Sequence, residues 1–437
     1  MSSASLLLTL LLQIVSILLV CRVAGLLGRR LGQTQAVCDM IAGIALGPSI
    51  LGVLLPSFQA WLFPQHATLA GSGVIITHPS MSILYAFSQF GLVLYMFTVG
   101  LEFDTGLFQG RLGRVSAVSS AGIAVPFVLG AAVSMVLISR PSFFAPGIDR
   151  WHAALFLGAA MSVTAFPVLA RILDEKRMTT TRLGTLTLAA GALDDVVAWC
   201  LLATLLAFLR ETPQLALLAI GGGLAGTTAM VWVVRPALRS LARTAERDRG
   251  VSPATMLIAL IVLVTSAAFT DFIGIHSVFG AFVAGAVMPR GLVATGLREQ
   301  IQPLTTTLLL PLFFVYSGLS THVELLNSAP AWMWTGVITL LAIGGKGLAC
   351  TVAARFAGEP WRDAATIGTL MNARGLVELI MLNVGLEAGI IHPTLFTIMV
   401  LMAVTTTVMA SPLFELFYRR HVPGSDAARS AAAAGTP

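Results

Sequence analysis

The amino-acid sequence predicts an all-α polytopic membrane protein. Three observations favour this fold class: 57% of the 437 residues are hydrophobic, only 11% are charged, and the mean hydropathy is +0.89. A water-soluble chain carries roughly twice that share of charged residues. The N-terminal apolar run is long and has no basic segment ahead of it, so we interpret it as the first membrane span rather than a signal peptide.

Apolar runs divide the chain into about 13 predicted transmembrane helices, because a spanning helix needs about 20 apolar residues. The predicted spans lie near residues 5–28, 35–55, 81–102, 112–138, 151–173, 182–209, 213–234, 254–271, 274–289, 300–322, 331–357, 362–386 and 393–418.

Basic residues predict the orientation of these spans. With the N-terminus outside, 20 of the 26 arginines and lysines fall in inside loops or the C-terminal tail, 3 fall in outside loops and 3 lie within spans. This bias agrees with the positive-inside rule, so the C-terminus is predicted to be cytoplasmic. The net charge of +6 therefore reflects topology, and we expect no nucleic-acid partner.

The domain organisation is predicted to be simple. Residues 1–418 form a single transmembrane domain, and residues 419–437 form a short, Ala-rich, disordered cytoplasmic tail. The four cysteines lie at unrelated spacings in apolar segments, so no disulfide framework or metal site is implied. We expect no cofactor and no enzymatic activity.

Two predicted spans carry interruptions. In the fifth span, Pro167 removes a backbone donor and disfavours helix at Phe166, which frees carbonyl groups near Thr164. In the twelfth span, polar or helix-breaking residues interrupt the apolar run at comparable depth: Asn372, Arg374, Gly375 and Glu378.

These interruptions predict an inverted-topology repeat. The fifth and twelfth spans are an odd number of spans apart, so they run in opposite directions through the membrane. Helices 4 to 6 would then correspond to helices 11 to 13, with two crossed discontinuous helices at the midplane. The alternative is that a proline and a polar cluster produce two unrelated kinks.

Two adjacent acids, Asp194 and Asp195, lie near the middle of the sixth span. One helical step separates them by about 100°, so they require different partners. Lys346 lies within the eleventh span and needs a counter-charge, because its insertion costs about 3 kcal/mol. A fixed salt bridge between one aspartate and Lys346 leaves the other carboxylate unpaired. An unpaired buried carboxylate takes a proton or binds a cation. A site at which protons and cations compete for the same carboxylate is typical of a protein that exchanges one for the other.

Three further charged residues lie in or beside spans. Arg374 and Glu378 are spaced i, i+4, which places them on one helix face as a self-neutralising pair. Glu102 ends the third span and is interpreted either as a gate or as a solvated interfacial carboxylate.

Several motifs together resemble a known family: GIALGPSILG (43–52), VGLEFD (99–104), SVTAFPVLARIL (162–173), ALDDVVAW (192–199), GIHSVFGAFVAGAVMPR (274–290), LPLFFVYSGL (310–319), GGKG (344–347) and LMNARGLVELIMLNVGL (370–386). They resemble the second branch of the monovalent cation:proton antiporter superfamily. The resemblance implies a homodimer in an inner (plasma) membrane. Each protomer would have a mobile core, about residues 81–209 and 300–418, that moves as an elevator against a dimerisation scaffold.

The resemblance also implies residue roles. Asp195 matches the carboxylate that binds the transported cation and the proton, Asp194 the acid paired with Lys346, and Thr164 the polar residue of the unwound crossover. Pro167, Asn372, Arg374 and Glu378 would support that crossover. Asp-Asp resembles electrogenic members, whereas VTAFPVLARIL and NARGLVELI resemble plant-type and potassium-linked members, so the cation stays open among sodium, potassium and lithium.

Three other classes of protein fit the sequence less well than an exchanger. Intramembrane aspartyl proteases bring two aspartates together from different helices, whereas adjacent aspartates diverge. A sodium-coupled symporter of an organic solute needs a roomy pocket lined by aromatic or arginine residues, and no such cluster converges here. A channel is disfavoured because nothing resembles a selectivity filter.

Overall fold

The computed structural model describes residues 3–31, 33–68, 75–102, 112–179, 181–209, 213–274, 276–319, 326 and 328–418. The predicted tail, residues 419–437, and residues 103–104 of the VGLEFD motif lie outside the described residues. The α-helices are α1 (Ser3–Arg30), α2 (Gln35–Leu46), α3 (Leu51–Leu54), α4 (Pro56–Leu62), α5 (Pro79–Glu102), α6 (Leu112–Leu137), α7 (Arg150–Ser162), α8 (Phe166–Glu175), α9 (Arg182–Leu209), α10 (Pro213–Ala229), α11 (Arg235–Ala237), α12 (Arg239–Asp248), α13 (Pro253–Phe272), α14 (Ser277–Val287), α15 (Leu292–Leu304), α16 (Leu310–Leu319), α17 (Ala329–Ala342), α18 (Ala349–Phe356), α19 (Trp361–Leu370), α20 (Leu376–Glu387) and α21 (Pro393–Tyr418).

The described chain is mostly helical, as the fold class predicted. Eight helices in the described residues are long and apolar enough to cross a membrane. Prediction of a multi-pass helical protein is therefore confirmed, whereas the number of 13 spans stays a prediction. The sequence did not predict the short antiparallel pair β1 (His66–Thr68) and β2 (Ile75–Thr77), in which His66 is opposite Thr77.

Some helix boundaries follow directly from local chemistry. Asp149 precedes α7 and accepts a hydrogen bond from the backbone N–H of His152 at 2.8 Å. This bond satisfies a free donor of the first helical turn, and it lowers the pKa of the exposed Asp149 carboxyl. Ser252 caps α13 in the same way, with Pro253 as the first helical residue.

π-helical turns join several of these helices end to end. The turn Met230–Val234 joins α10 to α11, Thr305–Leu309 joins α15 to α16, and Ile343–Leu348 joins α17 to α18. Each π turn adds a residue to the helical repeat and so rotates the side chains that follow. The turn between α17 and α18 contains Lys346, whose side chain is directed into the protein.

Reciprocal glycines allow two pairs of helices to pack closely. A Cβ atom added at Gly100 of α5 would lie 2.2 Å from the carbonyl oxygen of Phe282 in α14, and one at Gly285 of α14 would lie 2.2 Å from the carbonyl oxygen of Phe97. Gly43 of α2 and Gly318 of α16 form a second such pair. Small residues allow this approach, which favours helix association where no hydrophobic effect drives it.

We expect Gly285→Val to destabilise the folded protein, because its side chain would collide with the backbone of α5. Overpacking of this kind costs about 1–3 kcal/mol. The melting temperature of the purified protein in detergent measures the loss. Gly336→Val in α17 is the matched control, because a Cβ atom there meets nothing within 4 Å. Equal melting temperatures for the two variants would contradict this account of the α5–α14 contact.

Candidate functional site

Helix α7 stops inside the protein, and α8 continues the chain after a short extended segment. Ser162 ends α7, Val163 and Ala165 have extended backbone angles, and α8 begins at Phe166. The predicted helix interruption near Thr164 agrees with this geometry. The prediction that Phe166 would not be helical was wrong, because α8 begins at that residue. Pro167 lies in the first turn of α8, where a missing N–H breaks no intrahelical hydrogen bond.

A second interruption lies between α19 and α20. Helix α19 ends at Leu370, and α20 begins at Leu376. The two interruptions meet: the backbone N–H of Ala165 donates to the carbonyl oxygen of Ala373 at 3.0 Å. The unwound segments thus satisfy part of each other's backbone hydrogen bonding, which the interior of a membrane protein requires.

The carboxylate of Asp194 is buried, and both of its oxygens accept hydrogen bonds. It accepts hydrogen bonds from Ser119 at 2.6 Å, from Thr164 at 2.7 Å and from the ammonium of Lys346 at 3.0 Å. These donors come from α6, from the segment between α7 and α8, and from the π turn Ile343–Leu348. Asp194 of α9 therefore connects three separate parts of the chain.

Lys346 is 0% exposed and fully hydrogen-bonded. Its ammonium donates to Asp194, to the carbonyl oxygen of Gly122 at 3.0 Å and to the carbonyl oxygen of Ser162. The Ser162 carbonyl is available because α7 ends at that residue. Three donors with three acceptors meet the requirement that a buried ammonium leaves no proton unsatisfied.

Asp195 has a different environment. Its side chain is buried, 5% exposed, and one carboxylate oxygen, Oδ1, has no hydrogen-bond partner among the described residues. The carboxylate accepts from the backbone N–H of Phe166, at the N-terminus of α8. The positive end of a helix dipole favours a negative group at this position. Adjacent aspartates thus have different partners, as the helical geometry predicts.

The second interruption has its own buried ion pair. The guanidinium of Arg374 donates to the carbonyl oxygens of Ala160 at 3.3 Å and Met161 at 2.7 Å, both in the last turn of α7. It lies 3.6 Å from the carboxylate of Glu378, as the i, i+4 spacing predicts. That separation exceeds a hydrogen-bond length, and neither Glu378 oxygen has a hydrogen-bond partner among the described residues.

Two polar side chains complete this segment. The hydroxyl of Thr407 in α21 is 2.9 Å from both the backbone N and the carbonyl oxygen of Arg374. The amide of Asn372 donates to the carbonyl oxygen of Gly368 at 3.2 Å, within the last turn of α19. Both contacts fix backbone that has left the helix.

Sequence reasoning missed Ser119 and Thr407. Each lies in a run of small hydroxyl residues, SAVSS and TTT, where nothing distinguishes the contacting residue from its neighbours. Their roles depend on which way a helix faces, and a polar residue within an apolar helix was the only available signal.

Glu102 contacts a different set of charged residues from those around the two helix interruptions. Its carboxylate at the end of α5 pairs with Arg298 of α15, which also approaches Asp174 of α8 at 3.4 Å. This ion-pair cluster favours the interfacial interpretation of Glu102. A role as a gate stays a prediction.

The buried ionisable groups do not balance in charge. Around the two interruptions, three acids and two bases are buried: Asp194, Asp195, Glu378, Lys346 and Arg374. With all five ionised, the cluster carries one net negative charge. Unpartnered carboxylate oxygens lie on Asp195 and Glu378, of which Glu378 already lies 3.6 Å from the guanidinium of Arg374.

Comparison with known proteins finds antiporters among the similar chains. The chain is 39% identical over 420 residues to the Na+/H+ antiporter NhaS4 of Synechocystis sp., covering 94% of this chain and 98% of that protein. It is 32% identical over 410 residues to the K+/H+ antiporter 1 of Saccharomyces cerevisiae, covering 92% of this chain and 45% of that protein. The chain thus spans less than half the length of the yeast relative.

A solved structure resembles the fold. The sodium proton antiporter MjNhaP1 of Methanocaldococcus jannaschii matches with a TM-score of 0.59 at 13% identity, over 95% of this chain and 97% of that one. The family model for the transmembrane sodium/hydrogen exchanger matches residues 15–417. The protein belongs to the transmembrane sodium/hydrogen exchanger family.

Proposed function

We propose that this protein exchanges a monovalent cation for protons across a membrane, with Asp195 as the shared binding group. One observation carries the proposal: Asp195 is buried with an unpartnered carboxylate oxygen, beside an acid whose charge Lys346 already balances. The names of the relatives, antiporters for sodium or potassium, support the same reaction.

The charge of the buried cluster explains why cation and proton exclude each other. One proton or one monovalent cation brings the net charge of the five groups from −1 to zero. Adding both would leave +1 in a site with little solvent, and burial of uncompensated charge is costly. The loaded site therefore holds one or the other, which couples their movements in opposite directions.

Lys346 provides a second exchangeable proton in this mechanism. When a cation binds at Asp195, it also repels the nearby ammonium and weakens the contact between Lys346 and Asp194. Release of a proton from Lys346 together with one from Asp195 gives two protons per monovalent cation, which is electrogenic. The cation-loaded cluster then changes from zero net charge, which it has while Lys346 is protonated, to −1. Thr164 connects this event to the interrupted helix, because its hydroxyl donates to Asp194.

The proposed architecture has 13 spans, with inverted repeats and broken helices that cross near the midplane. The bond between Ala165 and Ala373 supports such a crossing. In the proposed elevator motion, the core at residues 81–209 and 300–418 moves against a scaffold that forms a homodimer. The N-terminus lies outside the inner (plasma) membrane and the C-terminus lies in the cytoplasm. A sodium-coupled symporter receives no support from the relatives.

The identity of the cation is tested in everted membrane vesicles that hold a proton gradient. A dye that reports the gradient is monitored while sodium, potassium, lithium or choline chloride is added across a pH series. Recovery of dye fluorescence with one alkali cation, and none with choline, establishes proton exchange and names the cation. No response to any cation from folded protein would overturn the proposal.

We expect Asp195→Asn to abolish exchange, because an amide neither carries a proton nor offers a charged oxygen to the cation. Dye recovery in vesicles should fall to the level of vesicles that lack the protein. The matched control is Asp271→Asn, which makes the same chemical change at an exposed position in the last turn of α13. A wild-type rate from Asp195→Asn would exclude Asp195 as the carrier.

We expect Lys346→Gln to convert electrogenic exchange to electroneutral exchange, because only the Asp195 proton would remain. Currents from protein adsorbed on a solid-supported membrane measure charge movement, and dye recovery measures proton flux. The ratio of current to proton flux should fall sharply in Lys346→Gln. A second variant, Lys346→Arg, tests whether a fixed positive charge at this position is enough to preserve folding.

A purely structural role for Lys346 predicts a different result. Current and flux would then fall in the same proportion, because fewer molecules would be active while each kept its stoichiometry. Removal of one partner of a buried ion pair costs about 3–5 kcal/mol, so the melting temperature of each variant is measured in parallel.

A further inference from the structure

An open cavity lies at the turn between α18 and α19, on the side predicted to face the cytoplasm. Its volume is about 390 Å³, and it is lined by Val352, Arg355, Phe356, Gly358 and Trp361. Gly358 has a positive φ of 91°, a conformation that favours glycine and lets the chain turn sharply between the two helices. None of the buried acids Asp194, Asp195 and Glu378 lines this cavity.

Arg355 is the charged group of this cavity. Its guanidinium lies 5.5 Å from the ring centre of Trp361, and it forms no ion pair within the described part of the chain. The acid next along the chain, Glu359, is already bonded to Arg114 at 2.8 Å and to Arg182 at 2.9 Å. Arg355 is therefore exposed, ordered by stacking and available to an anion.

The surrounding charge is positive. Two arginines and two acids lie close to the turn in sequence: Arg355, Arg362, Glu359 and Asp363. Two further arginines, Arg114 and Arg182, reach the turn through their ion pairs with Glu359. The net charge of +2 favours an anionic ligand, and the cytoplasmic leaflet is where anionic lipids concentrate.

An apolar stripe leads from the cavity along α18 and the preceding π turn. Leu348, Val352 and Phe356 are 67%, 43% and 88% exposed and follow one another at i, i+4 spacing. They cover about 12 Å at 1.5 Å per residue, comparable with the roughly 15 Å of one hydrocarbon leaflet.

We propose that this corner binds an anionic glycerophospholipid. The lipid phosphate pairs with Arg355, the headgroup occupies the cavity beside Trp361, and an acyl chain lies along Leu348, Val352 and Phe356. A phosphate flanked by a stacked guanidinium and an indole, with an apolar surface running into the bilayer, matches an amphipathic anion better than a soluble one.

Thermal stability of the purified full-length protein in mild detergent tests the proposal. Phosphatidylglycerol, phosphatidylcholine with the same acyl chains, and inorganic phosphate are added separately. We expect phosphatidylglycerol to raise the melting temperature progressively with its concentration, as binding to the folded state requires. Phosphatidylcholine and inorganic phosphate should give smaller shifts.

Two charge-matched variants locate the site. Arg355→Gln should lose more than half of the shift that phosphatidylglycerol produces. Arg362→Gln removes the same charge from an exposed neighbour outside the cavity and should keep most of the shift. Native mass spectrometry provides an independent count, with fewer phosphatidylglycerol molecules retained by Arg355→Gln than by Arg362→Gln.

Three results would overturn the proposal. Equal losses in both variants would indicate diffuse attraction to a basic surface. Equal shifts from both lipids would show that only the apolar stripe matters. Full protection by inorganic phosphate would indicate a soluble-anion site instead. Because all shifts are measured relative to each variant's own lipid-free melting temperature, a change in basal stability does not affect the comparison.

Discussion

Burial of the Lys346 ammonium is the constraint on which the rest of the site depends. A charge at this depth is tolerated only when each proton has an acceptor, and the acceptors are Asp194 and the carbonyl oxygens of Gly122 and Ser162. Ser162 can accept because α7 ends there and no later residue of the helix uses its carbonyl. The ion pair and the helix interruption therefore require each other.

A similar dependence holds for the second base. Arg374 leaves the helical ladder between α19 and α20, and its guanidinium satisfies the carbonyl oxygens of Ala160 and Met161. The last turn of α7 is thus neutralised by two cations that come from separate segments of the C-terminal half. Displacement of either cation would expose unpaired carbonyls in an apolar interior, so the two interruptions are coupled through the end of one helix.

The sequence was most informative where few partners were possible. The chain has two lysines and few acids within spans, so the need of Lys346 for a counter-charge, together with the predicted inverted repeat, indicated one of the adjacent aspartates as its partner. Ser119, Thr407 and the carbonyl of Gly122 could not be predicted in this way, because hydroxyl runs and backbone acceptors give no sequence signal of direction. The prediction for Phe166 was wrong because Pro167 lies in the first turn of α8, where its missing N–H breaks no intrahelical hydrogen bond.

Asp194 and Asp195 are identical neighbours, and the different roles proposed for them rest on their different surroundings. Asp194 has three donors, which leave little room for another ligand, whereas Asp195 has the N–H of Phe166 and an unfilled oxygen. Successive residues of a helix are rotated by about 100°, so the side chains of Asp194 and Asp195 in α9 point in different directions and meet different partners. Because the two carboxylates are adjacent, the charge state of one acts on the other across a short distance in a medium with little screening. In the proposed mechanism, binding at Asp195 would therefore change the interaction between Asp194 and Lys346, which contacts the end of α7. Occupancy of the proposed site would in this way be connected to the conformation of the interrupted helix.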